Sequence, residues 1–233
     1  MQTIGILGGM APESTLEYYR QIIDASHDRG WVKRYPRTVI HSLNFEEFYE
    51  PLSNGEDGVV LGVLLDGIES LANAGADFAI LASNTPHQFF DQLTEESPIP
   101  LVSIVTATAA AATAEGYERV GVLGTLFTMN GQFYPEGFDA HGLDVVTPPA
   151  DEKEWTHRKI FGELTNGRHT AETKQGLIDI IRAMAERSDI DAVALACTEL
   201  PLILDPDELP VPALNTTALH ARYAFDKATD DDG

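Results

Sequence analysis

Cys197 is the only cysteine in the 233-residue chain, and it closes the apolar run of Asp191-Ala192-Val193-Ala194-Leu195-Ala196-Cys197-Thr198-Glu199-Leu200-Pro201. A short, bounded run of small apolar residues predicts a buried parallel strand. The thiol then falls where the strand gives way to a loop or helix, and open α/β sheets bind ligands outside the carboxyl ends of their strands. A helix N-terminus at that point lowers a thiol's pKa and makes thiolate available near neutral pH. Equally, a lone cysteine can be a small buried hydrophobe. Position alone leaves both readings open.

A second copy of the pattern favours chemistry. Ala76-Asp77-Phe78-Ala79-Ile80-Leu81-Ala82-Ser83-Asn84-Thr85 repeats it with Asp77 for Asp191, Leu81 for Leu195 and Ser83 for Cys197, an offset of 114 residues. Ile4-Gly5-Ile6-Leu7-Gly8 matches Val120-Gly121-Val122-Leu123-Gly124 at an offset of 116, and Pro98-Ile99-Pro100-Leu101 matches Pro210-Val211-Pro212-Ala213 at 112. Three collinear matches indicate an internal duplication. Two similar halves would enclose one cleft, with Ser83 and Cys197 projecting from opposite walls onto the two faces of one small molecule.

The elements that must hold these residues alternate between strand and helix, which means α/β with parallel sheets. Strands are expected at 2–7, 38–43, 78–82, 98–105, 143–147 and 210–215, besides those at 119–124 and 192–196. Helices are expected from Pro12, where proline suits a first turn, and over 58–74, ending at Gly75. Further helices fall at 106–115, 158–164, 172–187 and 217–228. Asn44 to Phe48 reads as a loop, Asp151 to His157 as a polar segment, and Thr229 to Gly233 as a disordered tail. Thr85 reads as the cap of a helix begun by Pro86. The glycine turn Gly8-Gly9-Met10 can bring backbone N–H groups against a small carboxylate. Its G-x-x-G-G spacing is not that of a dinucleotide fingerprint. In the second half Gly124-Thr125-Leu126-Phe127-Thr128 offers hydroxyls that bind a carboxylate or merely cap a helix. The expected domains are 1–100 plus 211–233, and 101–210.

The chain carries 37 acidic residues against 15 basic ones, a net charge of −22. Nucleic acid and anionic membranes would repel such a surface. One cysteine excludes an internal disulfide and suits a reducing cytoplasm. No signal peptide and no apolar run of membrane-spanning length is visible. The seven histidines are scattered, so no metal site is expected. A serine hydrolase is disfavoured because Ser83 lies in S-N-T-P-H, not G-x-S-x-G.

These motifs together resemble the cofactor-independent aspartate/glutamate racemase family. The matching pieces are G-I-L-G-G-M at the N-terminus, S-N-T-x-H where relatives often have C-N-T-x-H, the G-T-x-x-T turn, and A-C-T-E. The resemblance implies two pseudo-symmetric flavodoxin-like domains with the active site between them, a homodimer, an acidic amino-acid substrate and no pyridoxal phosphate or other cofactor. It makes Cys197 and Ser83 the acid/base pair, with Asn84, Thr85 and Thr198 on the substrate carboxylate, Thr125 and Thr128 assisting, and Met10 lining the cleft. Hydrogen-bonding groups on both faces of one carbon, and helix N-termini that neutralise a carboxylate, are what a two-base racemase needs.

Three departures bear on substrate and direction. Serine replaces the first cysteine and is a far weaker base than a thiolate. No arginine stands in 44–48 to bind a side-chain carboxylate, and Thr165 and Asn166 stand where some relatives have a lysine. The alternatives are a one-faced decarboxylase or isomerase of a small dicarboxylate, and a carboxylate-binding protein without catalysis.

The acidic excess, with only five lysines, matches a protein of a high-salt cytosol. Near 1 M ionic strength the Debye length falls to about 3 Å, which removes most surface repulsion. Thermal melts should therefore shift strongly upward from low to multimolar potassium chloride. A midpoint indifferent to salt would refute the halophile reading.

Overall fold

A computed structural model describes residues 1–230. The chain divides into two compact units, residues 1–104 with 220–233, and residues 105–219. In the first, β1 (Ile4–Gly8) leads to α1 (Pro12–Asp28), β2 (Thr38–Ser42), α2 (Phe45–Asn54), α3 (Asp57–Asn73) and β3 (Phe78–Leu81). A 3-10 segment, Thr85–Phe89, then precedes α4 (Phe90–Glu96) and β4 (Leu101–Val102). The second unit follows α5 (Ile104–Ala114) with β5 (Arg119–Gly124), the short α6 (Leu126–Asn130), α7 (Phe133–Asp139) and β6 (Asp144–Val146). It continues with α8 (Ala150–Gly162), α9 (Ala171–Ser188), β7 (Ala192–Ala196), α10 (Leu200–Ile203) and β8 (Ala213–Asn215). Helix α11 (Thr216–Thr229) returns the chain to the first unit.

Each unit holds a four-stranded, all-parallel sheet, ordered β2-β1-β3-β4 and β6-β5-β7-β8. The registers make the duplication geometric. Ile4 pairs with Phe78 and Gly5 with Ala79, as Val120 pairs with Ala192 and Gly121 with Val193. Leu81 and Leu195 are thus equivalent, and so are Ser83 and Cys197, two residues further on. The repeated aspartates also have a shared task. Asp77 Oδ2 accepts the Thr3 N–H at 2.6 Å, and Asp191 Oδ2 accepts those of Glu118 and Arg119 at 2.8 Å. Each carboxylate ties the start of one central strand to its neighbour.

Strands β1, β3 and β7 are buried along their whole length, which is why they are continuous apolar runs. In the first unit Ile4, Ile6, Phe78 and Ile80 meet Tyr18 and Ile22 of α1 and Phe225 of α11. In the second, Leu123, Val193 and Leu195 meet Ile160 of α8 and Leu177, Ile181 and Met184 of α9. Each such side chain contributes about 1.5–3 kcal/mol by leaving water. Exposed pairs such as Arg20–Asp24 and Arg182–Asp179 contribute at most about 1 kcal/mol each. Stability therefore resides in the two cores.

Several expectations need correction. The units change over after Ile104 and Leu219, not at 100 and 210, because β4 completes the first sheet and β8 the second. Asn44 to Phe48 is not a loop: the Asn44 side chain accepts the Glu46 N–H and starts α2. The polar segment at 151–157 is the first half of α8. Thr85 opens a 3-10 segment that has no side-chain cap. Thr229 belongs to α11 and its hydroxyl accepts from Arg29, Asp230 is described directly after it, and residues 231–233 of the expected tail lie outside the described residues.

The glycine turn also differs from expectation. Gly9 has φ +87°, and a Cβ there would strike the Leu43 backbone. Its N–H is not held open for a ligand but donates to Thr15 Oγ1 of α1 at 2.8 Å in a buried setting. Thr15→Val should strand that donor and lower stability by about 1–3 kcal/mol, whereas Thr15→Ser should retain most of it. Urea denaturation of both variants checks this, and equal losses would show that the hydroxyl is immaterial.

Candidate active site

The residues singled out from the sequence gather at the carboxyl end of the central strands in each unit. In the first, β1 and β3 end side by side, with Leu7 opposite Leu81. Met10 follows β1 and is buried, while Ser83, Asn84 and Thr85 follow β3. Asn84 is buried, and Ser83 and Thr85 are partly exposed. In the second, Gly124 pairs with Ala196, so Thr125 and Cys197 leave adjacent strand ends. A Cβ on Gly124 would lie 2.6 Å from the Ala196 carbonyl, so only glycine permits that approach.

Around Ser83 the backbone is fixed by a buried histidine. The Ile104 N–H, at the start of α5, donates to His87 Nε2 at 3.1 Å. Nε2 is therefore bare, and His87 Nδ1–H donates to the Ser83 carbonyl at 2.9 Å. Beside it, His220 Nε2–H donates to the Val102 carbonyl at 2.9 Å, and its Nδ1 accepts the Tyr18 hydroxyl at 2.8 Å. Burial pushes His87 down to about 3, aided by His220, and pushes His220 down to about 4. Both rings are neutral at pH 7 and hold backbone. The expectation that His87 orients the loop is met. With Nε2 occupied, His87 does not act as a base on Ser83, whose own hydroxyl has no partner among the described residues.

Cys197 sits in the opposite electrostatic balance to the one its position suggests. The backbone N–H groups of Glu199 and Leu200 lie near the thiol and favour thiolate, the Leu200 N–H itself donating to the Cys197 carbonyl at 3.1 Å. Burial outweighs them, the Glu199 carboxylate adds repulsion, and the thiol is pushed up to about 12. The lowered pKa expected at a helix N-terminus is therefore overturned. Helix α10 has only four residues, too short to offer a strong dipole.

The Thr125–Thr128 turn is a cap as well as a row of hydroxyls. Thr125 Oγ1 accepts the Thr128 N–H at 3.4 Å and lies 3.3 Å from Thr128 Oγ1. Thr198 is partly exposed beside Cys197. Three further residues escaped the sequence reading. Glu199 is a buried carboxylate two positions beyond the thiol, visible in hindsight as an acid inside A-C-T-E-L-P-L. His157 and Lys153 reach α6 from α8, and their four-residue spacing becomes meaningful once the segment is helical. No group of three His, Cys, Asp or Glu suited to a metal occurs among the described residues, and no described helix is long and apolar enough to cross a membrane.

Comparison with known proteins places this arrangement. Residues 7–224 match the Asp/Glu/Hydantoin racemase family model. The chain is 26% identical over 228 residues to the broad specificity amino-acid racemase RacX of Bacillus subtilis, covering 94% of this chain and 95% of RacX. It is 36% identical to an aspartate racemase homologue from Pyrococcus horikoshii, covering 98% of this chain and 100% of that one, with a TM-score of 0.86. The aspartate racemase of Picrophilus torridus, at 20% identity, shares the fold with a TM-score of 0.76 over 98% of this chain and 94% of that one. With its duplicated sheets and the strand-end residues they carry, the chain belongs to the Asp/Glu/Hydantoin racemase family, a family of isomerases.

Proposed function

We propose that the protein racemises an acidic amino acid, aspartate or glutamate, without a cofactor, using Cys197 and Ser83 on opposite faces of the α-carbon. The observation that carries this reading is the equivalence of the two positions, each two residues beyond the matching paired leucines Leu81 and Leu195. The likeness to RacX supports an amino-acid substrate, and the likeness to an aspartate racemase homologue supports an acidic one. Asn84, Thr85 and Thr198 take the substrate carboxylate, Thr125 and Thr128 assist, and Met10 packs against the carbon chain.

The resting thiol sets the order of events. With its pKa pushed up to about 12, the resting cysteine is a thiol at pH 7. A substrate ammonium group beside the sulfur favours thiolate and lowers that value. The thiolate takes the α-proton, the carbanion is held by the carboxylate-binding groups, and Ser83, directly or through water, delivers a proton to the other face. Solvent then reprotonates Ser83. In the reverse direction Cys197 donates with ease, but Ser83 must act as base, which an alcohol does poorly.

The free Ser83 hydroxyl favours one second reading, chemistry on a single face. There a small dicarboxylate loses carbon dioxide and the Cys197 thiol protonates the carbanion. Proton NMR of L- and D-aspartate and L- and D-glutamate in D₂O separates the two. α-Deuteration of at least one pair is expected, and carbon dioxide release from a malonate without any amino-acid exchange would select the second reading. Cys197→Ala should abolish exchange in a folded protein, and full retained exchange would sink the mechanism. The two directions should differ in kcat, with KM differing in proportion because the equilibrium constant between enantiomers is one. Ser83→Cys should raise the slower direction most, and equal kcat values with no gain would remove Ser83 from the acid/base pair.

The protonation state has its own test, since a single cysteine makes labelling unambiguous. Without substrate, alkylation of Cys197 by iodoacetamide should climb about tenfold per pH unit from 7 to 10, because thiolate is the nucleophile. A plateau below pH 9 would contradict a thiol held near 12.

A further inference from the structure

Helix α6 carries Thr125 as its N-cap and Thr128 in its first turn, yet it has only five residues. So short a helix does not sustain itself, since forming the first turn costs more than its bonds return. Two side chains of α8 grip its ends. At the N-terminal end, the Leu126 N–H donates to His157 Nδ1 at 3.2 Å. At the C-terminal end, Lys153 Nζ donates to the Met129 carbonyl at 2.9 Å and to Asn130 Oδ1 at 3.1 Å.

The arrangement suits the charges of a helix. An N-terminus presents unpaired N–H groups and a C-terminus unpaired carbonyls. A neutral imidazole accepts at the first, and an ammonium donates at the second. Lys153 and His157 are four residues apart, so they share one face of α8. Thr156 and Ile160, buried on the same side, anchor that face. Phe127 meets the His157 ring edge-on at 6.1 Å, and Phe161 packs on it at 4.8 Å, leaving the imidazole little freedom to turn.

We propose that Lys153 and His157 are positioning residues, a clamp on both ends of α6 that holds the Thr125 and Thr128 hydroxyls in the geometry that receives the substrate carboxylate. The inference rests on the reading of that turn as a carboxylate site. Neither residue needs to touch substrate. Their removal loosens the turn, so binding suffers more than the proton-transfer step.

Two readouts test it. Amide hydrogen exchange at Leu126 reports the clamp whatever the activity. His157→Leu removes the acceptor, whereas His157→Asn places an amide oxygen near the Nδ1 position. Leu126 exchange is expected to quicken at least tenfold in His157→Leu and to recover largely in His157→Asn. In parallel, KM for α-proton exchange of L-aspartate and L-glutamate is measured in D₂O. His157→Leu and Lys153→Met should each raise KM about three- to tenfold, the range expected for a lost hydrogen bond. They should lower kcat less than they raise KM, and together act less than additively because both hold one element.

Thr125→Val separates the two layers of the argument. If Thr125→Val raises KM while both clamp variants leave it unchanged, the clamp is overturned and the carboxylate reading stands. If Leu126 exchange is unaltered in His157→Leu, the clamp is likewise overturned. If Thr125→Val leaves KM unchanged, the turn does not bind the carboxylate, and the positioning role falls with it.

Discussion

A buried N–H must find an acceptor, and that constraint shapes everything at the carboxyl ends of these strands. Within the sheets the ladders supply the acceptors. Where β1, β4 and β5 stop, the ladder stops as well, and the chain turns toward helices whose first amides are orphaned. Side chains fill the gap one at a time. Thr15 takes the Gly9 amide, His87 that of Ile104, Thr125 that of Thr128 and His157 that of Leu126. Two of the four acceptors are imidazoles, and burial lowers the pKa of each, which keeps a ring nitrogen bare for its amide. The loops that carry Ser83 and Thr125 are thereby fixed by neutral histidines in both halves.

The same rule explains the thiol. The backbone amides of Glu199 and Leu200 near the Cys197 thiol favour thiolate, yet burial and the nearby Glu199 carboxylate dominate. A protonated cysteine is protected from alkylating and oxidising agents until a cation approaches. In the first half the Ser83 hydroxyl has no such partner among the described residues. The two halves share a backbone and differ in electrostatics.

Much of this was legible from residue order. The near-constant spacing of three motif pairs disclosed the duplication, and the sheet registers place the same residues opposite one another. Strand ends, and hence the candidate half-sites, follow from runs too short and too apolar to be anything else. What escaped detection depended on single contacts. Asn44 begins a helix because its side chain bonds Glu46, and α8 reads as merely polar because few of its residues are buried. Strands β4 and β8 lie within the stretches expected to be strands but have only two and three residues, each preceded by proline, so their pairing alone sets their ends. The thiol's protonation was invisible because it depends on burial in three dimensions, not on nearness to a helix start.

The path of the last helix has a consequence for synthesis. Phe225 of α11 completes the core around Ile4 and Phe78, and His220 closes a bond to Tyr18 across 202 positions of sequence. Residues 105–219, by contrast, form a continuous unit. As the ribosome delivers the chain, the middle section can reach its final packing while the opening hundred residues still lack a wall of their own core. The N-terminal sheet is thus made first and finished last. In the interval its apolar face is the part of the nascent chain most in need of a chaperone's cover.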